Sequence, residues 1–144
     1  MRIGIVGSRR RISKEDEKYI FDLVQEHINE FGTASLVLVS GGCPVGADAF
    51  AERAADYFGV SILVHYPVKL PKVKSRYEAA ERNFERNRKI ARDSDIVFAE
   101  IAPDRTGGTE NTLKHAKEFN KKIVLIFPDG TRHISYEPET LDEV

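Results

Sequence analysis

Short apolar runs alternate along the chain with longer stretches in which apolar residues recur at helical spacing, a pattern that predicts an α/β protein. Residues 2–6 (RIGIV) are almost continuously apolar and stop at Gly7-Ser8-Arg9. A run so short reads as a strand buried on both faces. From Ser13 onward, Tyr19-Ile20, Leu23-Val24, His27-Ile28 and Phe31 recur at helical spacing. Ser13 and Asp16 have capping-box spacing, and Gly32 supplies a stop. Leu36–Val39 is a second strand, bounded by Ser40-Gly41-Gly42; residues 46–58 form an alanine-rich helix ended by Gly59, and Ser61–Tyr66 a third strand. Residues 67–77 have no clear period. Glu78–Arg92 is rich in helix formers with a polar surface, Asp95–Ala99 is a fourth strand, Glu110–Phe119 a helix and Ile123–Phe127 a fifth strand closed by Pro128-Asp129-Gly130.

Five short strands separated by helices imply right-handed crossovers. The expected fold is a doubly wound, Rossmann-like parallel sheet of five main strands in the order 3-2-1-4-5, flanked by helices. No repeat or linker divides the chain, so residues 1–144 read as one domain, with 128–144 as an acidic tail forming a short helix or lying over the sheet.

Composition narrows the function classes. The 144 residues are 41% hydrophobic and 31% charged, the balance of a water-soluble domain without a membrane span. Cys43 is the single cysteine, and no charged leader precedes an apolar stretch, so a cytoplasmic setting is expected. The 22 Lys+Arg and 23 Asp+Glu give a net charge of -1, which argues against general attraction to nucleic acid or anionic lipid. That mean conceals a segment, Lys69 to Arg92, with nine basic and three acidic residues, and an end, Asp129 to Val144, with five acidic and one basic.

Three glycine-bearing loops follow strands: Gly7-Ser8-Arg9, Ser40-Gly41-Gly42 through Gly46, and Thr106-Gly107-Gly108-Thr109. In an open parallel sheet such loops meet at the carboxyl edge beside the topological reversal, where glycines admit a ligand and helix-start N–H groups receive an anion. The expected ligand is a nucleotide or phosphate, with no further cofactor required. Neither the dinucleotide fingerprint nor the P-loop motif is present, which counts against a standard NAD enzyme or ATPase. Asp48, at the start of the second helix, either caps N–H groups or accepts from a ribose hydroxyl; Glu52 shares its face. Arg82-Asn83 and Arg86-Asn87 repeat at i,i+4, as a solvated face or with Arg86 gripping phosphate and Asn87 adding neutral hydrogen bonds. Arg9 is a second candidate for phosphate, whereas Arg10 and Arg11 are expected to face solvent. Glu110 either serves the helix start or acts as an acid/base. Tyr66 and Tyr77 are assigned to packing, and Cys43 to structure. His27, His65, His115 and His133 lack metal-ligand spacing, so no bound metal is expected.

These elements resemble the SLOG superfamily, which joins DNA-processing protein A domains, Lonely Guy enzymes and proteins once labelled possible lysine decarboxylases. The matching residues are Gly7-Ser8-Arg9, Ser40-Gly41-Gly42, Gly46-Ala47-Asp48, Ala51-Glu52, Arg86-Asn87, Ser94-Asp95, and Gly107-Gly108-Thr109 followed by Ala116, spread over about residues 1–127. The resemblance implies a Rossmann-like fold and nucleotide binding. Its members include phosphoribohydrolases, DNA-binding proteins and nucleotide sensors. The hydrolases carry a P-G-G-x-G-T-x-x-E loop; here the loop reads T-G-G-T-E-N-T-L-K-H, with Glu110 shifted from the matching position. The order of expectation is therefore a nucleotide-binding or sensing protein, then a nucleoside 5'-monophosphate N-glycosidase using Arg86 and Glu110, then DNA-processing-protein-A-like nucleic-acid binding. Apolar helix faces make a homodimer or higher homo-oligomer a further expectation.

Overall fold

The computed structural model describes residues 1–67 and 76–138, and of 76–78 the backbone alone. Its elements in chain order are β1 (Arg2–Gly7), α1 (Lys14–Phe31), β2 (Val37–Ser40), α2 (Ala47–Phe58), β3 (Ser61–Val64), α3 (Arg76–Asp93), β4 (Ile96–Glu100), α4 (Gly108–Glu118), β5 (Lys122–Ile126) and β6 (Arg132–Tyr136). One sheet holds all six strands in the order β3-β2-β1-β4-β5-β6. The first five pair in parallel, in the expected 3-2-1-4-5 order.

Alternation along the strands divides the core between two layers. Ile3 and Ile5 of β1 pack with Ile20, Leu23 and Val24 of α1 and Phe50, Ala51 and Ala54 of α2. Val6 and Val97 face the other way, against Ile90 and Ala91 of α3 and Leu113 and Ala116 of α4. Successive side chains of a strand point to opposite faces, so continuous apolar runs serve both layers. Gly4 lies tight against the Ser94 hydroxyl at the end of α3, leaving no room there for a side chain.

Local signals fix most helix ends. Ser13 accepts from the Asp16 N–H at 3.0 Å while Asp16 accepts from the Ser13 N–H at 3.2 Å, completing the capping box. Gly59 ends α2 in the left-handed region at φ 69°.

The sixth strand corrects the expectation of a short helix or a tail lying over the sheet after residue 128. The Gly130 N–H donates to the Phe127 carbonyl at 2.8 Å, and the Phe127 N–H donates to the Thr131 carbonyl at 2.9 Å. Asp129 accepts from the Thr131 N–H at 3.0 Å, and Gly130 takes φ +86°. This tight turn sends the chain back along the free edge of β5, where Arg132–Tyr136 pairs antiparallel. The sheet is thus mixed rather than five-stranded and parallel throughout. Residues 139–144 of the acidic end, Lys69–Ser75 of the basic segment and the side chain of Tyr77 lie outside what is described.

Among the described residues, no helix is long and apolar enough to cross a membrane.

Candidate functional site

The strand order reverses between β1 and β4, and the loops at their carboxyl ends diverge around a cleft of about 500 Å³. The loop after β1 contributes Gly7, Ser8, Arg9 and Arg10; the β2–α2 segment contributes Cys43, Val45 and Asp48. The start of α4 contributes Gly107, Gly108, Thr109 and Thr112, and α3 contributes Phe84, Arg86, Asn87 and Ile90. Nine residues anticipated as ligand-facing therefore line one cavity: Gly7, Ser8, Arg9, Asp48, Arg86, Asn87, Gly107, Gly108 and Thr109.

Ser40, Gly41, Gly42 and Gly46 stand behind that lining and shape it. A Cβ on Gly41 would fall 2.8 Å from Arg86 Nη1 and 2.9 Å from Asp48 Oδ2, so the absence of a side chain lets this pair close over the strand end. Gly42 and Gly46 adopt φ +72° and +75°, in the region that favours glycine. Ser40 is fully buried, and its carbonyl accepts from the His65 N–H at 2.8 Å.

Arg86 is held from two sides. Its Nε–H donates to Asn87 Oδ1 at 2.9 Å and its Nη1–H to the Gly41 carbonyl at 2.5 Å. Burial lowers its pKa from the ordinary arginine value, opposed by the charge of Asp48, and the guanidinium stays protonated. Burial raises the pKa of Asp48, opposed by the Cys43 N–H, which donates to Oδ2 at 3.0 Å, and by Arg86. Asn87 spends its amide on the scaffold: Nδ2 donates to the Gly108 carbonyl at 3.3 Å and to Asn111 Oδ1 at 3.2 Å. It braces Arg86 against the start of α4.

The helix starts at the cleft are open. Gly46 and Gly107 are the N-caps of α2 and α4, and neither supplies a side-chain hydrogen bond. Orphan N–H groups at two converging helix starts, with the positive ends of both dipoles, favour an anion between them. Asp48 is consequently not the cap of α2; its carboxylate receives the Cys43 N–H instead.

Other assignments fall elsewhere. Glu110 is not part of the cleft lining; its carboxylate is gripped by Arg105, with Nε and Nη2 at 3.0 and 2.9 Å. Arg53, beside Glu52 on α2, pairs with Glu17 of α1. Arg10 is exposed but tied to Asp104 by two hydrogen bonds of 3.0 and 2.6 Å, and Arg10 and Thr106 hold the Asp104 carboxyl well below the usual carboxylate range.

Arg11 overturns the expectation that it faces solvent. It is 4% exposed, because the chain turns inward before α1 and brings it beneath the ends of β4 and β5. Its Nε–H and Nη2–H donate to Asp16 Oδ1 at 3.0 and 2.8 Å, and its remaining N–H groups reach the carbonyls of Ile101, Ile126 and Phe127. Tyr66 also departs from its packing assignment, being 60% exposed with its ring against Gly42.

Sequence reasoning missed Phe84, Val45 and Cys43 as cleft residues. Phe84 is 45% exposed and lies three positions before Asn87, the spacing that shares a helix face. An aromatic ring within the otherwise polar stretch Glu81–Lys89 was the available signal. Among the described residues, no three His, Cys, Asp or Glu side chains gather in a way that would hold a metal ion.

No protein-family model matches the chain, and no curated protein sequence matches it. Among solved structures, it is similar to DNA processing protein A (DprA) from Streptococcus pneumoniae, with a TM-score of 0.67 and 24% sequence identity. That match covers 86% of this chain and 49% of the other, so the chain spans about half the length of that protein. The S. aureus MnaA–UDP co-structure aligns at a TM-score of 0.47 and 19% identity, over 87% of this chain and 27% of the other. That likeness is one of fold, which in this chain is an α/β sheet with the β3-β2-β1-β4-β5 strand order and flanking helices.

Proposed function

We propose that the cleft binds nucleotide units through their phosphates, and that it takes them from a single strand of nucleic acid. The observation that carries this reading is the composition of one cavity: Arg9 and Arg86, two uncapped helix starts and a half-exposed phenylalanine. Guanidinium groups and open N–H groups suit a phosphate, and Phe84 offers an apolar face on which a base stacks. Val45 of the cleft lining and Tyr66, whose ring lies against Gly42 of the β2–α2 loop, add two further exposed apolar side chains at the carboxyl edge, and a strand offers more bases to such groups than one nucleotide does. The fold likeness to a DNA processing protein adds to this choice. It moves the nucleic-acid reading ahead of the free-nucleotide sensor that the sequence alone ranks first. The glycosidase reading loses ground because it needs a free carboxylate at the cleft from Glu110, which Arg105 holds outside it.

The test compares a short single-stranded oligonucleotide of about 12 nucleotides with nucleoside 5'-monophosphates in equilibrium titrations, with mass spectrometry watching for released base. The strand is expected to bind more tightly. Its affinity should fall with salt at a shallow slope, about -1 to -2 in the logarithmic plot, since two arginines face the cleft and each single-strand phosphate contact contributes roughly -0.7. Equal affinity for a mononucleotide would return the free-nucleotide reading to first place. Base release would favour the glycosidase, and binding of neither ligand would sink the proposal.

A further inference from the structure

Glu100, the last residue of β4, is fully buried, and among the described residues neither carboxylate oxygen has a hydrogen-bond partner. Its neighbour on the same side is Arg11, whose Nη2 lies 3.6 Å away. A guanidinium has five N–H groups. Those of Arg11 are all engaged, two by Asp16 and three by the carbonyls of Ile101, Ile126 and Phe127. Nothing is left with which to solvate an ionised Glu100. The groups facing Glu100 from the surrounding elements are few. Asp16 comes from α1 and Arg11 from the loop after β1, while the register partners on either side, Gly7 of β1 and Ile126 of β5, carry no charge. Arg11 also interacts with Asp129 in the turn after β5.

Glu100 also touches the cleft's first loop. Its carbonyl accepts from the Ser8 N–H at 2.9 Å, and a Cβ on Gly7 would lie 3.1 Å from Glu100 Cβ. Ser8, Arg9 and Arg10 line the cleft, and Arg11 ends the same segment, its own N–H donating to the Ser8 carbonyl at 3.0 Å. An ionised Glu100 can gain a charge-assisted hydrogen bond only by taking Arg11 from a present partner, and moving Arg11 moves the loop.

We propose that Glu100 is a proton-binding position that sets the conformation of residues 7–11. With the carboxyl protonated the loop holds the cleft as observed; loss of the proton draws Arg11 toward Glu100 and displaces the loop. Burial pushes the Glu100 pKa up to about 8, which puts the change within reach of cellular pH. The consequence for affinity rests on the nucleotide reading above: a strand bound at the observed loop favours the protonated state, and by linkage the proton favours the strand. Affinity is therefore retained below about pH 8 and falls above it, by at most tenfold per pH unit for one linked proton.

The sign for stability is separate. A carboxyl whose folded pKa is raised from 4.5 to about 8 contributes stability that is present below the unfolded value and is lost as pH rises through the folded one. The experiment is a carbon-13 NMR titration of the glutamate carboxyls in the ligand-free protein, assigned with Glu100→Gln and read together with the amide signals of residues 7–10. Glu100 is expected to titrate within about one unit of pH 8, with the loop amides moving at the same midpoint. In Glu100→Gln that loop transition should vanish, and affinity for an oligodeoxyadenylate should become flat above pH 8. A carboxyl midpoint below about pH 6, or loop amides that ignore it, would overturn the proposal; the wild-type titration decides this even if the variant fails to fold. If the loop titrates with Glu100 but no oligonucleotide binds at any pH, the nucleotide reading fails and the proton site stands.

Discussion

Two arginines stand at the carboxyl edge of the same sheet, on opposite faces, and they are used in opposite ways. Arg11, on the α1 face, is buried and saturated: every side-chain N–H ends on Asp16 or on the carbonyls of Ile101, Ile126 and Phe127 at the ends of β4 and β5. Arg86, on the α3 face, is half-buried and divided between Asn87, the Gly41 carbonyl and the charge of Asp48, with an open cleft before it. The helix starts beside them differ in the same sense. That of α1 is closed by the Ser13 capping box, and those of α2 and α4 begin on glycines, which have no side chain to accept from the helix N–H groups. A guanidinium whose donors are spent inside the protein stabilises the fold; one with donors to spare, beside uncapped N–H groups, has capacity for a ligand.

The sharpest way to break this contrast is Arg11→Ala. It strips the donors from buried Asp16 and from three carbonyls, and should cost about 3–5 kcal/mol of unfolding free energy by chemical denaturation. A loss under about 1 kcal/mol would mean that the closed network is not structural. Next comes Arg86→Ala, expected to shift the unfolding midpoint little while lowering strand affinity about 10- to 100-fold, the worth of one or two charge-assisted hydrogen bonds. Arg86→Lys should recover only part of this, because an ammonium cannot hold both the Asn87 and Gly41 contacts and still face the cleft. A large stability loss with unchanged affinity would reverse the roles of the two arginines.

Gly41→Ala is a finer probe, since its methyl would press on Arg86 and Asp48 together. Affinity should drop about tenfold with the circular dichroism spectrum unchanged, a misplacement effect rather than a lost group. The smallest expected effect is that of Glu110→Gln, within about 0.5 kcal/mol in stability and without change in affinity, because the exposed pair with Arg105 stands outside the cleft. A clear loss of strand binding there would place the ligand over α4 instead.

Much of the architecture was legible in the chain. Continuous apolar runs such as Ile3–Val6 and Val37–Val39 can only be satisfied in a sheet covered on both faces, and the glycines after them marked the carboxyl edge where the cleft lies. The Ser13-to-Asp16 spacing located the start of α1, because a capping box is closed by residues three positions apart and needs no distant partner. β6 was not legible: Arg132–Tyr136 has no buried face of its own and is a strand because β5 offers a free edge at the far side of a tight turn.

At the site the division follows the same logic. The residue types and the sheet edge on which they gather were set by local sequence, through strand ends, glycines and the Arg86-Asn87 pair. Tertiary structure alone decided which arginine is spent and which is available, since the partners of Arg11 lie up to 116 positions away and Gly41 lies 45 positions from Arg86. It also turned Asn87 into a brace, set Glu110 beside Arg105 and left Glu100 buried without a donor. A side chain's hydrogen-bonding capacity is fixed by its chemistry, but how much of it remains for a ligand depends on every group the fold brings within reach.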